Sequence, residues 1–156
     1  MIKTIIVDDE PRGINTIKKI LELYCTDVQL IETCTDADSA KEKILQLEPD
    51  LVFLDIAMPG KTSLTMLSEM KNISFQIIFV TAHNEYSLQA FKYSAVDYLL
   101  KPVHEDLLIN AVQRASKRIQ DGLVNRNVET LLHNIRQTKT TKDIKLCIPS
   151  LKGFQV

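Results

Sequence analysis

Five polar side chains stand where apolar runs of this chain stop. Asp8 and Asp9 follow Thr4-Ile5-Ile6-Val7, and Asp55 follows Leu51-Val52-Phe53-Leu54. Thr81 closes the run from Gln76, and Lys101 follows Asp97-Tyr98-Leu99-Leu100. Three carboxylates gathered at one rim repel, each pair by ~4 kcal/mol at about 4 Å with an effective dielectric of about 20. Such a cluster needs protons or a cation. Carboxylate and carbonyl oxygens suit Mg²⁺, which keeps several waters and takes a few protein ligands plus phosphate oxygens. The Lys101 ammonium can hold an anionic oxygen at the end of its flexible stem, and Thr81 supplies a hydroxyl donor. Together these groups suit the stabilisation of a phosphoryl group passing to a carboxylate. Asp is one of the side chains that forms such covalent intermediates. Asp55, at the end of the most buried run, is the natural acceptor.

Each residue alone has a plainer reading. Asp8 or Asp9 would serve as a helix N-cap, Thr81 as a strand end, and Lys101 as a solvated surface lysine. The Lys101-Pro102 pair would be a stop signal, although X-Pro also permits a cis bond. For all the plain readings to hold, four coincidences must fall at matching positions. The joint reading is therefore preferred.

The elements that must position these groups alternate along the chain. Strand-length apolar runs are followed by segments with helical spacing, the sequence form of βα units around a parallel sheet. Ile14, Ile17, Ile20, Leu21 and Tyr24 give the first helix, and Val28 to Cys34 the second strand. Asp36 with Asp38-Ser39 opens a second helix, which Pro49-Asp50 stops. A third helix runs through Leu64, Leu67 and Met70, a fourth from Glu85 to Tyr93, and a fifth from Glu105 through Leu108, Ala111, Val112 and Ala115. The whole is an α/β domain of five βα units. In such a doubly wound sheet, ligands bind outside the carboxyl ends of the strands, where the five polar residues fall.

The helical pattern continues past Arg118 through Ile119, Leu123, Val128, Leu132 and Ile135, with Gly122 weakening it. Gln137 to Asp143 reads as a linker, and Ile144-Lys145-Leu146-Cys147-Ile148 alternates like a new strand. An isolated strand pair would be marginal, so this end reads as the beginning of a truncated second domain. The expected organisation is a first domain over 1–120, a helical extension and linker over 121–143, and the start of a second domain over 144–156.

The composition, 45% apolar and 25% charged over 156 residues, is that of a globular chain. The apolar runs are too short to span a bilayer, and Met1-Ile2-Lys3-Thr4 lacks the features of a signal peptide. Cys25, Cys34 and Cys147 are odd in number and without metal-ligand spacing, which suggests reduced thiols in a cytoplasmic protein. The net charge of −1 hides an asymmetry. Residues 1–113 carry a balance of −7 and residues 114–156 one of +6. The acidic part suits a cation site, and the basic end is able to approach nucleic acid or simply be solvated.

Four segments, Val7-Asp8-Asp9-Glu10, Asp55-Ile56-Ala57-Met58-Pro59-Gly60, Thr81-Ala82 and Lys101-Pro102, together closely resemble the receiver domain of two-component response regulators. The resemblance implies a CheY-like (βα)₅ sheet in strand order 2-1-3-4-5. It also implies that Asp8 or Asp9, Asp55 and the backbone carbonyl of Ala57 ligate Mg²⁺, and that Asp55 takes phosphate from a sensor histidine kinase. Thr81 and Lys101 would contact that phosphate, and Tyr98 would be the switch aromatic that responds to Thr81. The run from Phe79 to Pro102 looks like the LytTR subclass, and Ile144 to Val156 resembles the opening strand of its DNA-binding domain. The same resemblance implies a transcription regulator that reaches DNA through an output domain and forms a homodimer when phosphorylated. Its only catalysis would be its own phosphorylation and dephosphorylation.

Two departures from the family pattern matter. Lys61-Thr62-Ser63 stands where many receivers carry an acidic residue and glycine. Ala57 and His83 occupy the positions that tune phosphate loss, and Ala57 cannot orient a water, which implies a long-lived phosphoryl state. Competing readings are weaker. A Mg²⁺-dependent aspartyl phosphatase would carry D-x-D at the first strand, but Glu10 stands third. A flavodoxin-like module would wrap phosphate with backbone amides in a Ser/Thr/Gly loop, which Asp8-Asp9-Glu10 would oppose. A degenerate receiver working by protein contacts alone would not need the full acceptor set.

Overall fold

The computed structural model describes residues 1–137 and divides the chain into two units, Met1–Ile119 and Gln120–Val156. The linker and strand expected from Thr138 onward, with Cys147, lie outside the described residues. The first unit contains β1 (Ile2–Val7), α1 (Pro11–Tyr24), β2 (Val28–Cys34), α2 (Ala37–Leu47) and β3 (Leu51–Leu54). It continues with α3 (Ser63–Glu69), β4 (Gln76–Thr81), α4 (Ser87–Phe91) and β5 (Asp97–Leu100). The last helix, α5, is Glu105–Gln137; its residues 120–137 belong to the second unit. No helix among the described residues is long and apolar enough to cross a membrane.

All five strands are parallel, in the order β2-β1-β3-β4-β5. This is the CheY-like doubly wound sheet expected from the sequence. The period-two alternation of the strands divides the core between the two faces. Ile5, Val7, Val52, Leu54, Ile77 and Phe79 pack on one side with Ala37, Ala40 and Ile44 of α2 and Leu64, Met66 and Leu67 of α3. Ile6, Leu51, Phe53, Ile78 and Val80 pack on the other with Ile17, Ile20 and Leu21 of α1 and Leu108, Ala111, Val112 and Ala115 of α5. The central strands are apolar on both sides because both faces of the sheet are covered.

The helix ends follow local chemistry. Asp36 caps α2 by accepting a hydrogen bond from the Ser39 amide at 2.7 Å. That helix closes on Glu48, in the left-handed conformation with φ 48°, ahead of the Pro49 stop. The β3–α3 loop turns through Gly60 at φ +85°, a conformation that strains any residue with a side chain. Thr62 then caps α3, accepting from the Thr65 amide at 3.2 Å. Lys61, one of the departures in this loop, bonds both Asp38 and Glu69 and so ties the loop to α2 and to the end of α3. The expected fourth helix, Glu85–Tyr93, is shorter, because the chain enters it through turns and leaves through Ser94 at φ 53°.

Cys25 and Cys34 are buried free thiols. Burial, with help from Glu32 and Asp36, pushes Cys34 up to about 11, so it acts as a small hydrophobe. We expect Cys34 to resist iodoacetamide at pH 8 in the folded protein and to react once urea unfolds it, read by mass spectrometry of the Cys34 peptide. Phe53 is fully buried at the sheet centre. Phe53→Ala should cost about 3–5 kcal/mol in urea unfolding, as for other core truncations of this size.

Candidate functional site

The sheet delivers Asp8, Asp55 and Lys101 one residue past the ends of β1, β3 and β5. The Asp55 amide donates to the Val7 carbonyl at 2.9 Å, the Asp8 amide to Cys34 at 3.0 Å, and the Lys101 amide to Thr81 at 2.9 Å. The backbone ladder therefore continues through Asp8, Asp55 and Lys101, and their side chains leave one rigid edge. The Lys101–Pro102 peptide is cis.

At that edge Lys101 Nζ lies 2.8 Å from Asp8 Oδ2 and 3.0 Å from Asp55 Oδ2. Asp8 and Asp55 are 1% and 5% exposed, so this ammonium bridges two carboxylates largely removed from water. One ligand oxygen from each of Asp8, Asp9 and Asp55 falls within 4.8 Å of the others. Thr81 does end β4, but the plain readings of Asp8 or Asp9 as the α1 cap and of Lys101 as a solvated lysine do not hold. Residue 10, a glutamate, holds the cap position of α1 without a side-chain bond. Asp8 Oδ1 accepts from the Glu10 amide ahead of the helix, at 2.9 Å, and Lys101 is no solvated lysine.

The electrostatics follow from this placement. Burial raises the Asp55 carboxyl above its ordinary value; Lys101 pulls it back, and Asp8 pushes it further up. Thr81 leans the same way as Lys101, although Asp55 Oδ1 makes no hydrogen bond. Burial works against the Lys101 charge, but its bonds to Asp8 and Asp55 prevail and leave the ammonium pKa raised. Among the described residues no group bonds the buried Asp55 Oδ1, which costs stability unless a cation or donor reaches it. Three carboxylates with oxygens this close form the donor set that a hard divalent cation takes.

Thr81, at the end of β4, is fully buried, and its hydroxyl oxygen accepts from the His83 amide at 3.4 Å. Tyr98 packs on Phe79 with ring centroids 6.0 Å apart, and its hydroxyl donates to the His83 carbonyl. The β4–α4 loop is thus held from both ends, by Thr81 and by Tyr98. Ala57 sits half-buried in the loop after β3. His83 drew notice in the sequence for its side chain, whereas its backbone makes these contacts, and its ring meets Glu85 at 3.1 Å. Gly13, whose Cα faces Asp8, was not among the residues expected at the site. The available signal was a glycine inside the first turn of a helical run.

Residues 4–113 match the family model of the response regulator receiver domain. The chain belongs to that family. An uncharacterized response regulatory protein of Vibrio vulnificus is 35% identical over 168 residues, spanning 100% of this chain and 69% of the relative. The sensory transduction protein LytT of Bacillus cereus is 35% identical over 153 residues, covering 96% of this chain and 59% of that protein. The transcriptional regulatory protein BtsR of Salmonella typhimurium is 33% identical, covering 94% of this chain and 53% of its own. The chain spans little more than half the length of the last two. Among solved structures, the response regulatory domain of mrkE from Klebsiella pneumoniae superposes with a TM-score of 0.70 at 25% identity. That match covers 76% of this chain and 98% of the other. This receiver is therefore part of two-component signalling. Receivers interact with sensor histidine kinases and generally bind Mg²⁺ through an acidic pocket, and this chain carries an acidic cluster of Asp8, Asp9 and Asp55.

The pKa directions have consequences. A carboxyl raised by folding contributes stability that is present below its unfolded pKa, about 3.9. That contribution is lost as pH rises through the folded value. Lys101→Ala removes the main groups holding Asp55 down, so the NMR titration of the Asp55 carboxyl should move further up. The fall in urea stability with rising pH should steepen. The raised Lys101 pKa acts in the other range: its contribution is present below about 10.4 and lost as pH climbs through its folded value.

Proposed function

We propose that this receiver accepts a phosphoryl group on Asp55 from the phosphohistidine of a sensor kinase, and that its state controls a DNA-binding output domain. The observation that carries the reading is Lys101 shared between Asp8 and Asp55 while Asp55 Oδ1 remains buried and unpartnered. Asp8, Asp9, Asp55 and the Ala57 carbonyl would hold Mg²⁺, which when bound offsets phosphoryl charge.

The chain's own groups do the remaining work. Asp55 Oδ2 attacks phosphorus in line as the bond from phosphorus to the kinase imidazole breaks, and the leaving imidazole keeps that electron pair and takes a proton. The Lys101 ammonium, already 3.0 Å from Asp55 Oδ2, moves from the carboxylates to a phosphoryl oxygen. Thr81 supplies its hydroxyl to another oxygen, which loosens its contact with the His83 amide. Because Tyr98 bonds the His83 carbonyl, the β4–α4 loop and Tyr98 shift together.

That shift reaches the face of α4, β5 and α5. Leu88 and Phe91 are 83% and 82% exposed there, beside a groove of about 460 Å³ lined by Ala90, Phe91, Ala95 and Tyr98. Arg114 pairs with Asp97, and Arg118 donates to the Ser94 carbonyl at 2.8 Å. Phosphorylation would repack this surface and favour a homodimer, bringing two output domains to DNA. The similarity to LytT and BtsR supports a transcriptional, LytTR-type output and a cytoplasmic setting. The only reactions catalysed would be gain and loss of the protein's own phosphate.

Incubation with acetyl phosphate and Mg²⁺ tests the proposal. Asp55→Asn should abolish uptake seen by intact-protein mass spectrometry, and Asp8→Ala should weaken it. Uptake by Asp55→Asn equal to the parent would remove Asp55 as acceptor, and none in the parent would favour a receiver working by contacts alone. The phosphoryl group should last for minutes or longer with Mg²⁺ present, because Ala57 has no side chain to orient water. A half-life of seconds would contradict this.

A further inference from the structure

We infer that Arg118 is a latch: its guanidinium holds the turn between α4 and β5 against α5, and so resists the movement of α4 that phosphorylation of Asp55 would bring. This rests on the phospho-acceptor reading above and names a contact that sets how readily that switch responds.

α4 has little of its own to hold it in place. It spans five residues, of which Ala90 alone is buried, and Leu88 and Phe91 are largely exposed. Its first residue follows the loop that His83 ties to Thr81 and Tyr98. At its other end the chain leaves through tight turns, the Lys92, Tyr93 and Ser94 amides donating to the Gln89, Ala90 and Phe91 carbonyls. Ser94 stands at φ 53°, in the left-handed region that favours glycine. The Ser94 carbonyl accepts from Arg118 Nη1 at 2.8 Å, a hydrogen bond strengthened by the guanidinium charge.

The surroundings leave that bond exposed to any motion of α4. Two grooves of about 460 Å³ each flank the turn, and Ser94 and Arg118 line both. One opens beside Phe75 and Tyr93, the other beside Ala90 and Tyr98. The turn is therefore a wall between two open spaces, with Arg118 spanning it. Arg114, one helical turn earlier, pairs with Asp97 of β5, so α5 grips the strand and the turn separately. A shift of the His83 loop displaces the start of a helix only five residues long, and its end must follow. The Ser94 carbonyl then leaves Arg118, and the resting arrangement is favoured by whatever that bond contributes. A ligand of the shifted state has to overcome the same amount.

The test is calorimetric titration of the full chain with beryllofluoride, a phosphoryl mimic, at saturating MgCl₂, run beside hydrogen exchange of residues 87–96. Arg118→Met keeps the apolar stem and removes the latch. It should bind the mimic about fivefold more tightly, the scale of one exposed charge-assisted bond. Its α4 and turn amides should also exchange faster before any mimic is added, and those of the parent should do so once beryllofluoride is bound. Ser94→Gly controls for stability alone. Glycine suits the left-handed angle and keeps the carbonyl, so the urea midpoint should rise while mimic affinity stays that of the parent. Equal or weaker binding by Arg118→Met would overturn the inference and leave the site reading intact, since the bond would then survive the switch. An equal gain in Ser94→Gly would overturn it too, because mimic affinity would not be following the latch. A parent that binds no beryllofluoride would remove the acceptor reading, and the latch's role with it.

Discussion

One ammonium shared by two buried carboxylates is the interaction on which this receiver's site depends. Asp8 and Asp55 face each other at the edge of the sheet with almost no access to water. At such depth like charges repel far more than in bulk solvent. Lys101 bonds one oxygen of each, and that bridge lets the two acids coexist without a metal or a phosphoryl group. The bridge is incomplete, because Asp55 Oδ1 has no partner among the described residues. The fold thus holds a charge arrangement that a cation near Asp55 Oδ1 would improve.

The scaffold makes that arrangement stiff. The strands beneath it are apolar on both faces, and the ladder bonds extend through Asp8, Asp55 and Lys101 themselves, so the carboxylates cannot separate by bending the backbone. The looser part lies on the other side of Thr81. There the chain enters α4 through turns, and the loop is held by the His83 amide and carbonyl between Thr81 and Tyr98. A rigid carboxylate site next to a loop with few ties is the division of labour that the proposed switch would need.

The architecture was legible in the sequence because its signals were periodic: alternating apolar and helical segments, with chemistry at each strand end. The convergence of Asp8, Asp55 and Lys101 followed from parallel topology, which places all carboxyl ends on one side. Other features were not legible, for physical reasons. That Asp8 would bond the Glu10 amide and turn toward Lys101, and would not cap α1, depends on which rotamer the packed site permits. The close approach of Gly13 to Asp8 lies across a loop and is encoded by no linear spacing. Lys61 read as a break in the family pattern, but its bonds to Asp38 and Glu69 show a loop anchored by charge where other receivers use different residues. The short α4 reflects turn geometry around Asn84 and Ser94 that helical periodicity does not see.

The most direct test of the shared-ammonium scheme is a crystal structure of the chain with Mg²⁺ and beryllofluoride, a tetrahedral phosphoryl mimic. The mimic should sit on Asp55, with the ion between it and the carboxylates of Asp8 or Asp9, and the Lys101 ammonium should withdraw from Asp8 to touch a fluoride. A structure in which Lys101 still bridges Asp8 and Asp55, with the mimic absent from Asp55 at saturating concentration, would contradict the scheme.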